Sequence, residues 1–238
     1  MIASGSRVAI VDDVLGQAET AAGIAEEADL APTIIDWVDG GFGRPEQLLS
    51  QVREADCSAV ICDHRLSRTG FASFTGAEFA AMLYAEKIPA ILLSTFSSTD
   101  SDRSIKLHRS RIPSLVARDE LDPQRILDGL RESEQELLGH ISPQRLLYRT
   151  LVRVEDVSIG HGEEMVDAII HTWNPDRGVR FPLELIEDAA LKEDLRHWTG
   201  ESGRFPRMFA QVNVGCEHES DLVLRAFERA PEPDDRDF

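Results

Sequence analysis

The chain has little cysteine, no long apolar run and no leader-like start. Its three cysteines, Cys57, Cys62 and Cys216, are odd in number and lack close pair spacing, so the sequence indicates neither a disulfide framework nor a zinc knuckle. No apolar run approaches the roughly 20 residues that a membrane-spanning helix requires. The first seven residues lack the apolar core of a secretory signal peptide. These absences favour a cytoplasmic protein that does not bind a membrane.

Basic residues are also in the minority. The 238 residues include 25 Lys and Arg against 43 Asp and Glu, which gives a formal net charge of −18. Binding to nucleic acid or to anionic lipid relies on Lys and Arg that neutralise phosphates. The charge balance therefore argues against a nucleic-acid partner and against a helix-turn-helix output domain. The length itself suggests two modest domains.

Two short apolar runs each end in acidic residues. One run leads from Arg7 into Asp12 and Asp13, and the other leads from Ala59 into Asp63. Runs of this kind are typical of strands that are buried on both faces of a parallel sheet, and open α/β sheets carry their sites at the carboxyl ends of such strands. Three carboxylates in one crevice would repel one another unless a cation lay among them. Hard oxygen ligands of this sort suit Mg²⁺.

The remaining pattern up to residue 139 alternates helices with strands. Thr75 and Glu78 have the spacing of a capping box, and Asp122 with Pro123 is typical of a helix start. The polar stretch 97–111 favours a short fourth helix. The predicted helices cover residues 14–30, 44–54, 75–86 and the stretch from 123 onward, and the further predicted strands cover residues 32–39, 88–95 and 112–117.

This order, with an Asp-Asp pair after the first strand and a lone Asp after the third, resembles the receiver domain of two-component response regulators over about residues 5–139. The resemblance implies an α/β fold with a flavodoxin-like, doubly wound parallel sheet of five strands. It also implies that Asp63 accepts a phosphoryl group from a histidine kinase or another phosphodonor protein. By the same resemblance, Asp12, Asp13, Asp63 and the backbone carbonyl of Arg65 would bind Mg²⁺ as the cofactor.

Two more residues are assigned to this site by the resemblance. Alignment of Ile88 and Pro89 with the Ile-Pro of the family places Ser94 at the hydroxyl position that responds to phosphorylation, with Thr95 as the competing assignment. Receivers usually carry a lysine at the end of the fifth strand, where this chain has Arg118. An arginine keeps its charge and can pair with a phosphoryl group, but its planar fork does not reproduce a compact ammonium. The departure indicates an atypical or degenerate receiver.

The pattern changes near residue 140. The helix that begins at Pro123 loses its apolar stripe before Gly139, so we expect a receiver-like domain over residues 1–139, a second domain over 140–230 and an acidic tail over 231–238. The second part resembles no family that we recognise, and its pattern predicts a small α+β or β-rich domain, with a partly closed barrel as one arrangement. Its predicted strands cover residues 147–157, 165–173, 179–186, 208–214 and 221–227, with a turn at 174–178 and a helix at 187–197.

Three functions are compatible with this sequence. The first is a signalling protein that accepts a phosphoryl group on Asp63 and binds a downstream protein partner through its C-terminal domain. The second, which Arg118 favours, is a degenerate receiver that acts as a scaffold without phosphorylation. The third is an enzyme whose activity lies in the C-terminal half and is regulated by the receiver. The resemblance also permits a homodimer, and we expect a phosphoacceptor or binding protein rather than a turnover enzyme.

Overall fold

A computed structural model of the protein describes residues 2–95, 101–160, 162–198 and 205–231. The chain divides into two compact units, Met1–Ser142 and Pro143–Phe238. The strands are β1 (Arg7–Val11), β2 (Ala31–Ile34), β3 (Ala59–Asp63), β4 (Ala90–Ser94), β5 (Ser114–Ala117), β6 (Tyr148–Gly160), β7 (Glu163–Ile170), β8 (Asn174–Pro182), β9 (Arg207–Val212) and β10 (Leu224–Arg229). The helices are α1 (Leu15–Glu27), α2 (Pro45–Glu54), α3 (Gly76–Ala85), α4 (Lys106–His108), α5 (Pro123–Leu137) and α6 (Ala189–His197). None of the described helices is long and apolar enough to cross a membrane.

The first unit is built on a parallel sheet with the strand order β2-β1-β3-β4-β5. This is the flavodoxin-like order, so the predicted fold is confirmed. β3 and β4 are buried along their whole length, as their apolar runs predicted. β2 lies on one side of β1, and β3, β4 and β5 follow on the other side. The carboxyl ends of β1 and β3 therefore border the crevice where open α/β sheets bind ligands.

Alternate residues of the central strands pack against two different helical layers. Val8 and Ile10 of β1 lie in a core with the alanines of α1 and with Ile126 of α5. Ala9 and Val11 point the other way, into a core that α2 and α3 complete. Successive strand residues point to opposite faces, so a continuous apolar run is needed to fill both layers. The helices therefore clamp the sheet from both sides and hold its carboxyl edge in place.

Two segments of the first unit differ from the sequence prediction. Strand β2 ends at Ile34 rather than at Asp39. The glycine-rich loop at residues 40–43 contacts the long loop that connects β3 to α3. The backbone N–H of Phe42 donates to the carbonyl of Phe71 at 2.7 Å. The predicted short fourth helix is confirmed over residues 101–111, which form a π-turn, the one-turn helix α4 and a 3₁₀ turn. Residues 96–100 lie outside the described part.

The second unit contains an antiparallel sheet with the order β10-β9-β6-β7-β8. Helix α6 contributes Leu191 and Leu195 to the core beneath this sheet, and the side chain of Asp188 caps its first turn. The β-rich prediction is therefore confirmed. Among the strands that the structure describes, β8 and β10 are not paired, so the sheet is open rather than a closed barrel. Residues 232–238 of the predicted tail are not among those described.

The predicted turn between Asn174 and Gly178 is wrong. The turn occupies residues 171–173, and Asn174 already begins β8. The register of β7 against β8 then shifts, so that residues of β8 bulge out of the ladder. The carboxamide oxygen of Asn174 accepts a hydrogen bond from the N–H of Asp176 at 3.0 Å. Residues 174–176 thus form a local Asx turn inside β8 instead of a hairpin turn.

We expect the two units to separate by limited proteolysis at residues 139–145. Gly139 ends α5 with a φ of +91°, and Leu138 and Ile141 are exposed, so the backbone between the units is accessible to a protease. Mass spectrometry of the digest should show a stable N-terminal fragment. A resistant fragment that spans residues 100–200 would contradict the proposed boundary.

Candidate functional site

Three carboxylates meet at the carboxyl edge of the parallel sheet. Asp12 and Asp13 directly follow β1, and Asp63 is the last residue of β3. They are 7%, 8% and 7% exposed, respectively. One carboxylate oxygen from each lies within 4.8 Å of the others. The structure thus brings together the three acids that the strand pattern placed at one edge.

The guanidinium of Arg118 lies between two of these carboxylates. Arg118 follows directly after β5, and its Nη2 donates to Oδ2 of Asp12 at 2.6 Å and to Oδ1 of Asp63. Its side chain is only 19% exposed. The Nε–H of Arg118 is buried and has no hydrogen-bond acceptor among the residues described. The arginine therefore neutralises part of the acid cluster, while its Nε–H stays without an acceptor among the described residues.

The three carboxylates and the single guanidinium of Arg118 give this cluster an excess of negative charge. Burial raises the pKa of the Asp12 carboxyl above its ordinary value, although the hydrogen bond from Val14 and the charge of Arg118 act in the opposite direction. Burial alone would lower the pKa of Arg118, but the hydrogen bond and charge of Asp63, followed by those of Asp12, outweigh it and raise this pKa. Arg118 contacts only two of the three carboxylates. The excess charge suits a further cation.

Backbone donors orient the carboxylates that Arg118 bridges. The N–H of Val14 donates to Oδ1 of Asp12 at 2.9 Å, and the N–H of Arg65 donates to Oδ2 of Asp63 at 2.7 Å. Each of these two carboxylates therefore uses one oxygen for a backbone donor and the other for Arg118. The role of the Arg65 carbonyl as a metal ligand stays a prediction.

Asp13 is held by a residue that the sequence analysis missed. The N–H of Thr69 donates to Oδ2 of Asp13 at 3.1 Å, and the Thr69 hydroxyl lies 3.2 Å from the same oxygen. Thr69 belongs to the long loop between β3 and α3. The only signal in the sequence was the length of that loop, since no local pattern indicates which of its residues turns toward the acids. The loop is anchored to the site through this contact.

The start of α3 supports Asp63 from behind. Gly76 approaches β3 so closely that a Cβ built on it would lie 1.9 Å from the carbonyl oxygen of Asp63. The N–H of Gly76 donates to the carbonyl of His64 at 2.8 Å. The hydroxyl of Thr75 accepts a hydrogen bond from the N–H of Glu78, which confirms the predicted N-cap of α3. Close packing at Gly76 therefore determines where the Asp63 backbone lies.

Ser94 lies at the same sheet edge, as the last residue of β4. It is 1% exposed and pairs in register with Ala117, the residue before Arg118. Its neighbour Leu93 pairs with Asp63. Thr95, the competing assignment, is exposed. The register thus places Ser94 between the strands that carry Asp63 and Arg118, and its role as a responding hydroxyl stays a prediction.

His64 is a second residue that the sequence analysis missed. It follows Asp63, is 3% exposed, and its Nε2 lies 2.9 Å from the hydroxyl of Ser104. Ser104 belongs to the π-turn Ser101–Ile105. The contact joins the end of β3 to the segment before α4. In the sequence, the only indication of the contact between His64 and Ser104 was a histidine that follows an apolar strand.

Comparison with known proteins finds likeness at the level of solved structures. No family model matches the chain, and no curated protein matches it. A chemotaxis response regulator, CheY4 of Vibrio cholerae, is 16% identical, with 54% of this chain and 98% of that chain covered and a TM-score of 0.39. The signal receiver domain of an HD domain-containing protein from Pseudomonas fluorescens is 13% identical, with coverages of 58% and 93% and a TM-score of 0.42.

A third similar structure is the signal receiver domain of a modulated diguanylate cyclase from Desulfovibrio desulfuricans. It is 18% identical, with 56% of this chain and 97% of that chain covered and a TM-score of 0.42. Each match spans little more than half of this chain and leaves the second unit without an identified family. At these identities the likeness concerns the fold alone. The first unit, by its own strand order, has the flavodoxin-like fold that receiver domains share.

Proposed function

We propose that the protein is a response-regulator-like signalling protein whose first unit accepts a phosphoryl group on Asp63. The observation that carries this proposal is the buried cluster of Asp12, Asp13 and Asp63 with Arg118 between two of them. Under this proposal a histidine kinase or another phosphodonor protein supplies the phosphoryl group. The second unit binds a downstream protein partner.

The acid cluster fits Mg²⁺ as a cofactor. Two oxygens bound to one Mg²⁺ lie roughly 2.9 Å apart when adjacent and roughly 4.2 Å apart when opposite. The three carboxylate oxygens lie within 4.8 Å of one another, so to bind the ion they would have to approach one another, and Arg118 would have to move away from Asp12 and Asp63. Asp12, Asp13 and Asp63 would hold the ion together with the carbonyl of Arg65. When bound, Mg²⁺ would offset the negative charge of the carboxylates and of an incoming phosphoryl group.

The protein's own groups would carry out the transfer. A carboxylate oxygen of Asp63 would form a bond to phosphorus while the bond between phosphorus and the donor atom breaks, and the bonding pair would leave with the donor. The Arg65 N–H holds the Asp63 carboxylate in one orientation. Arg118 would contribute its positive charge and its buried Nε–H to the phosphoryl oxygens, and Ser94 would donate its hydroxyl.

Arg118 also supports a second candidate, a scaffold that acts without phosphorylation. Its guanidinium bonds to Asp12 and Asp63, which are two of the three carboxylates that Mg²⁺ would need. If the arginine stays there, neither the metal nor the phosphoryl group has access to these oxygens. The unit would then keep the receiver fold and present only its surface to partners.

The phosphoacceptor proposal predicts a gain of one phosphoryl group on wild-type protein incubated with Mg²⁺ and a small-molecule phosphodonor, as measured by intact mass. Asp63→Asn should show no gain because the attacking carboxylate is gone. Asp56→Asn is the matched control, since Asp56 is exposed near the start of the same strand and its φ of +53° is one that asparagine tolerates. This control should be modified like the wild type.

The outcomes separate the two candidates. Modification that persists in Asp63→Asn would contradict the assignment of the acceptor. Mg²⁺ binding without modification by any of several phosphodonors would support the scaffold instead. Absence of both Mg²⁺ binding and modification would mean that the first unit is similar to receiver domains in its fold and not in its chemistry.

A further inference from the structure

One face of the second unit's sheet carries arginine and apolar side chains and points away from the core. On β6, Thr150, Val152 and Val154 are buried, so the residues between them point outward. On β9 the same alternation holds. We call five of the outward side chains of these two adjacent strands the arginine face: Arg149, Leu151, Arg153, Arg207 and Phe209. Gln211, opposite Arg149, and Glu155, which bonds to Arg153, lie beside them.

Two arginines of this face lie directly opposite each other. Arg153 of β6 pairs in register with Arg207 of β9. Like charges at directly opposite positions of an antiparallel pair destabilise the sheet. Arg153 has an ion pair with Glu155 at 2.6 Å, whereas Arg207 has no carboxylate within ion-pair distance in the part of the chain that the structure describes. This arrangement costs the unit stability and leaves a place where one added carboxylate could contact both guanidinium groups.

The middle of the face is apolar and partly open to solvent. Leu151 is 36% exposed and pairs in register with Phe209. The guanidinium of Arg149 lies 3.5 Å from the centroid of the Phe209 ring. Stacking of this kind fixes a guanidinium while its N–H edge stays directed outward, and the hydrogen bonds that Arg149 now makes to Glu228 are long, at 3.3 and 3.4 Å. An apolar centre surrounded by arginines is a common arrangement in protein interfaces.

We propose that the arginine face binds an acidic peptide segment of the partner protein, with an apolar side chain of that segment on Leu151 and Phe209. This inference rests on the proposed function of the second unit and adds its surface and the chemistry of its partner. The basis is charge complementarity, because Arg207 lies opposite Arg153 and has no carboxylate partner among the residues that the structure describes, while Arg153 has only Glu155. A carboxylate of the partner would bind Arg153 and Arg207 together and remove the repulsion between them.

Single-stranded nucleic acid fits the face less well. Proteins that bind it stack bases on open aromatic rings, but Arg149 already covers the Phe209 ring. Glu228 and Glu155 already pair with Arg149 and Arg153, so the face offers too few unpaired cations for a continuous row of phosphates. Separate carboxylates with apolar residues between them match this arrangement better.

The test uses the full chain and a labelled short peptide of Glu and Asp with one central Leu, followed by fluorescence anisotropy. We expect binding that weakens with salt and is absent for the same peptide with Gln and Asn in place of the acids. Arg153→Thr and Arg207→Thr should each weaken binding about ten-fold, since each removes a charge-assisted contact. Arg177→Thr is the matched control, because Arg177 is an exposed arginine of the same sheet outside this face, and it should bind like wild type.

A second readout separates binding from structure. The melting temperature of Arg207→Thr should equal or exceed that of wild type, because the substitution removes the like-charge pair. Asp63→Asn should bind the peptide normally, so failure of this inference is distinct from failure of phosphoryl transfer. Absent peptide binding, equal binding by all variants, or preferred binding of oligothymidylate would overturn the inference. So would a wild-type dimer that Arg207→Thr converts to a monomer, since a second copy would then cover the face.

Discussion

Replacing Arg118 with lysine should increase the affinity of the first unit for Mg²⁺ by about ten-fold, the effect expected from removing one charge-assisted hydrogen bond to a metal ligand. Arg118 uses one nitrogen to contact Asp12 and Asp63 simultaneously and therefore holds two of the three candidate ligands. A shorter ammonium keeps the positive charge but has a smaller reach and no planar fork. Isothermal titration with Mg²⁺ measures the change directly.

A second substitution separates the effect of the Arg118 charge on Mg²⁺ affinity from the effect of its geometry. Arg118→Gln removes the charge as well and should bind Mg²⁺ at least as tightly as Arg118→Lys. Arg125→Lys makes the same chemical change at an exposed position of α5 and should leave the affinity unchanged. Equal Mg²⁺ affinity in wild type and both Arg118 variants would contradict the competition between Arg118 and the metal.

Substituting Gly76 with alanine should destabilise β3 by about 3 kcal/mol, near the upper end of the usual cost of overpacking. The added Cβ would lie 1.9 Å from the Asp63 carbonyl oxygen and under 3.0 Å from two further backbone atoms of Asp63 and His64. A backbone cannot rotate aside as a flexible side chain can, so α3 or β3 must move. Hydrogen exchange of the β3 amides reports this loss of local stability.

A second glycine provides the control for Gly76. Gly23 lies inside α1, and a Cβ at that position would meet nothing within 4 Å. Gly23→Ala should therefore stabilise the first unit by up to about 1 kcal/mol, which is the helix propensity difference between these residues. Similar effects of the two substitutions on β3 would mean that the close approach of Gly76 to Asp63 does not determine the position of Asp63.

Local rules were sufficient to predict the strands of the first unit and their acid cluster, whereas the order of the strands in the sheet was implied by the family resemblance. A continuous apolar run predicts a strand that is covered on both faces, and parallel strands bring their carboxyl ends to one edge. Asp12, Asp13 and Asp63 each lie at the end of such a run, so their proximity followed from the strand pattern. The N-caps at Thr75 and Asp122 were also predictable, since capping depends on a few neighbouring residues.

Contacts that depend on the path of loops could not be predicted. Thr69 reaches Asp13 across 56 positions of sequence, and His64 reaches Ser104 across 40. No periodicity encodes such contacts, because they depend on how a loop folds over the sheet edge. The Asn174 turn signal was misplaced for a related reason, since an Asx turn forms equally well inside a bulged strand. The Arg153 and Arg207 pair required the register of β6 and β9, which sequence alone does not give.

The most direct test of the phosphoacceptor assignment is a crystal structure of the full chain with Mg²⁺ and a beryllium fluoride mimic of the phosphoryl group. The proposed function predicts the mimic on the Asp63 carboxylate, Mg²⁺ bound by Asp12 and Asp13, and the Arg118 guanidinium moved from Asp12 to the mimic. Arg118 still bonded to both Asp12 and Asp63, with neither Mg²⁺ nor the mimic bound, would contradict it.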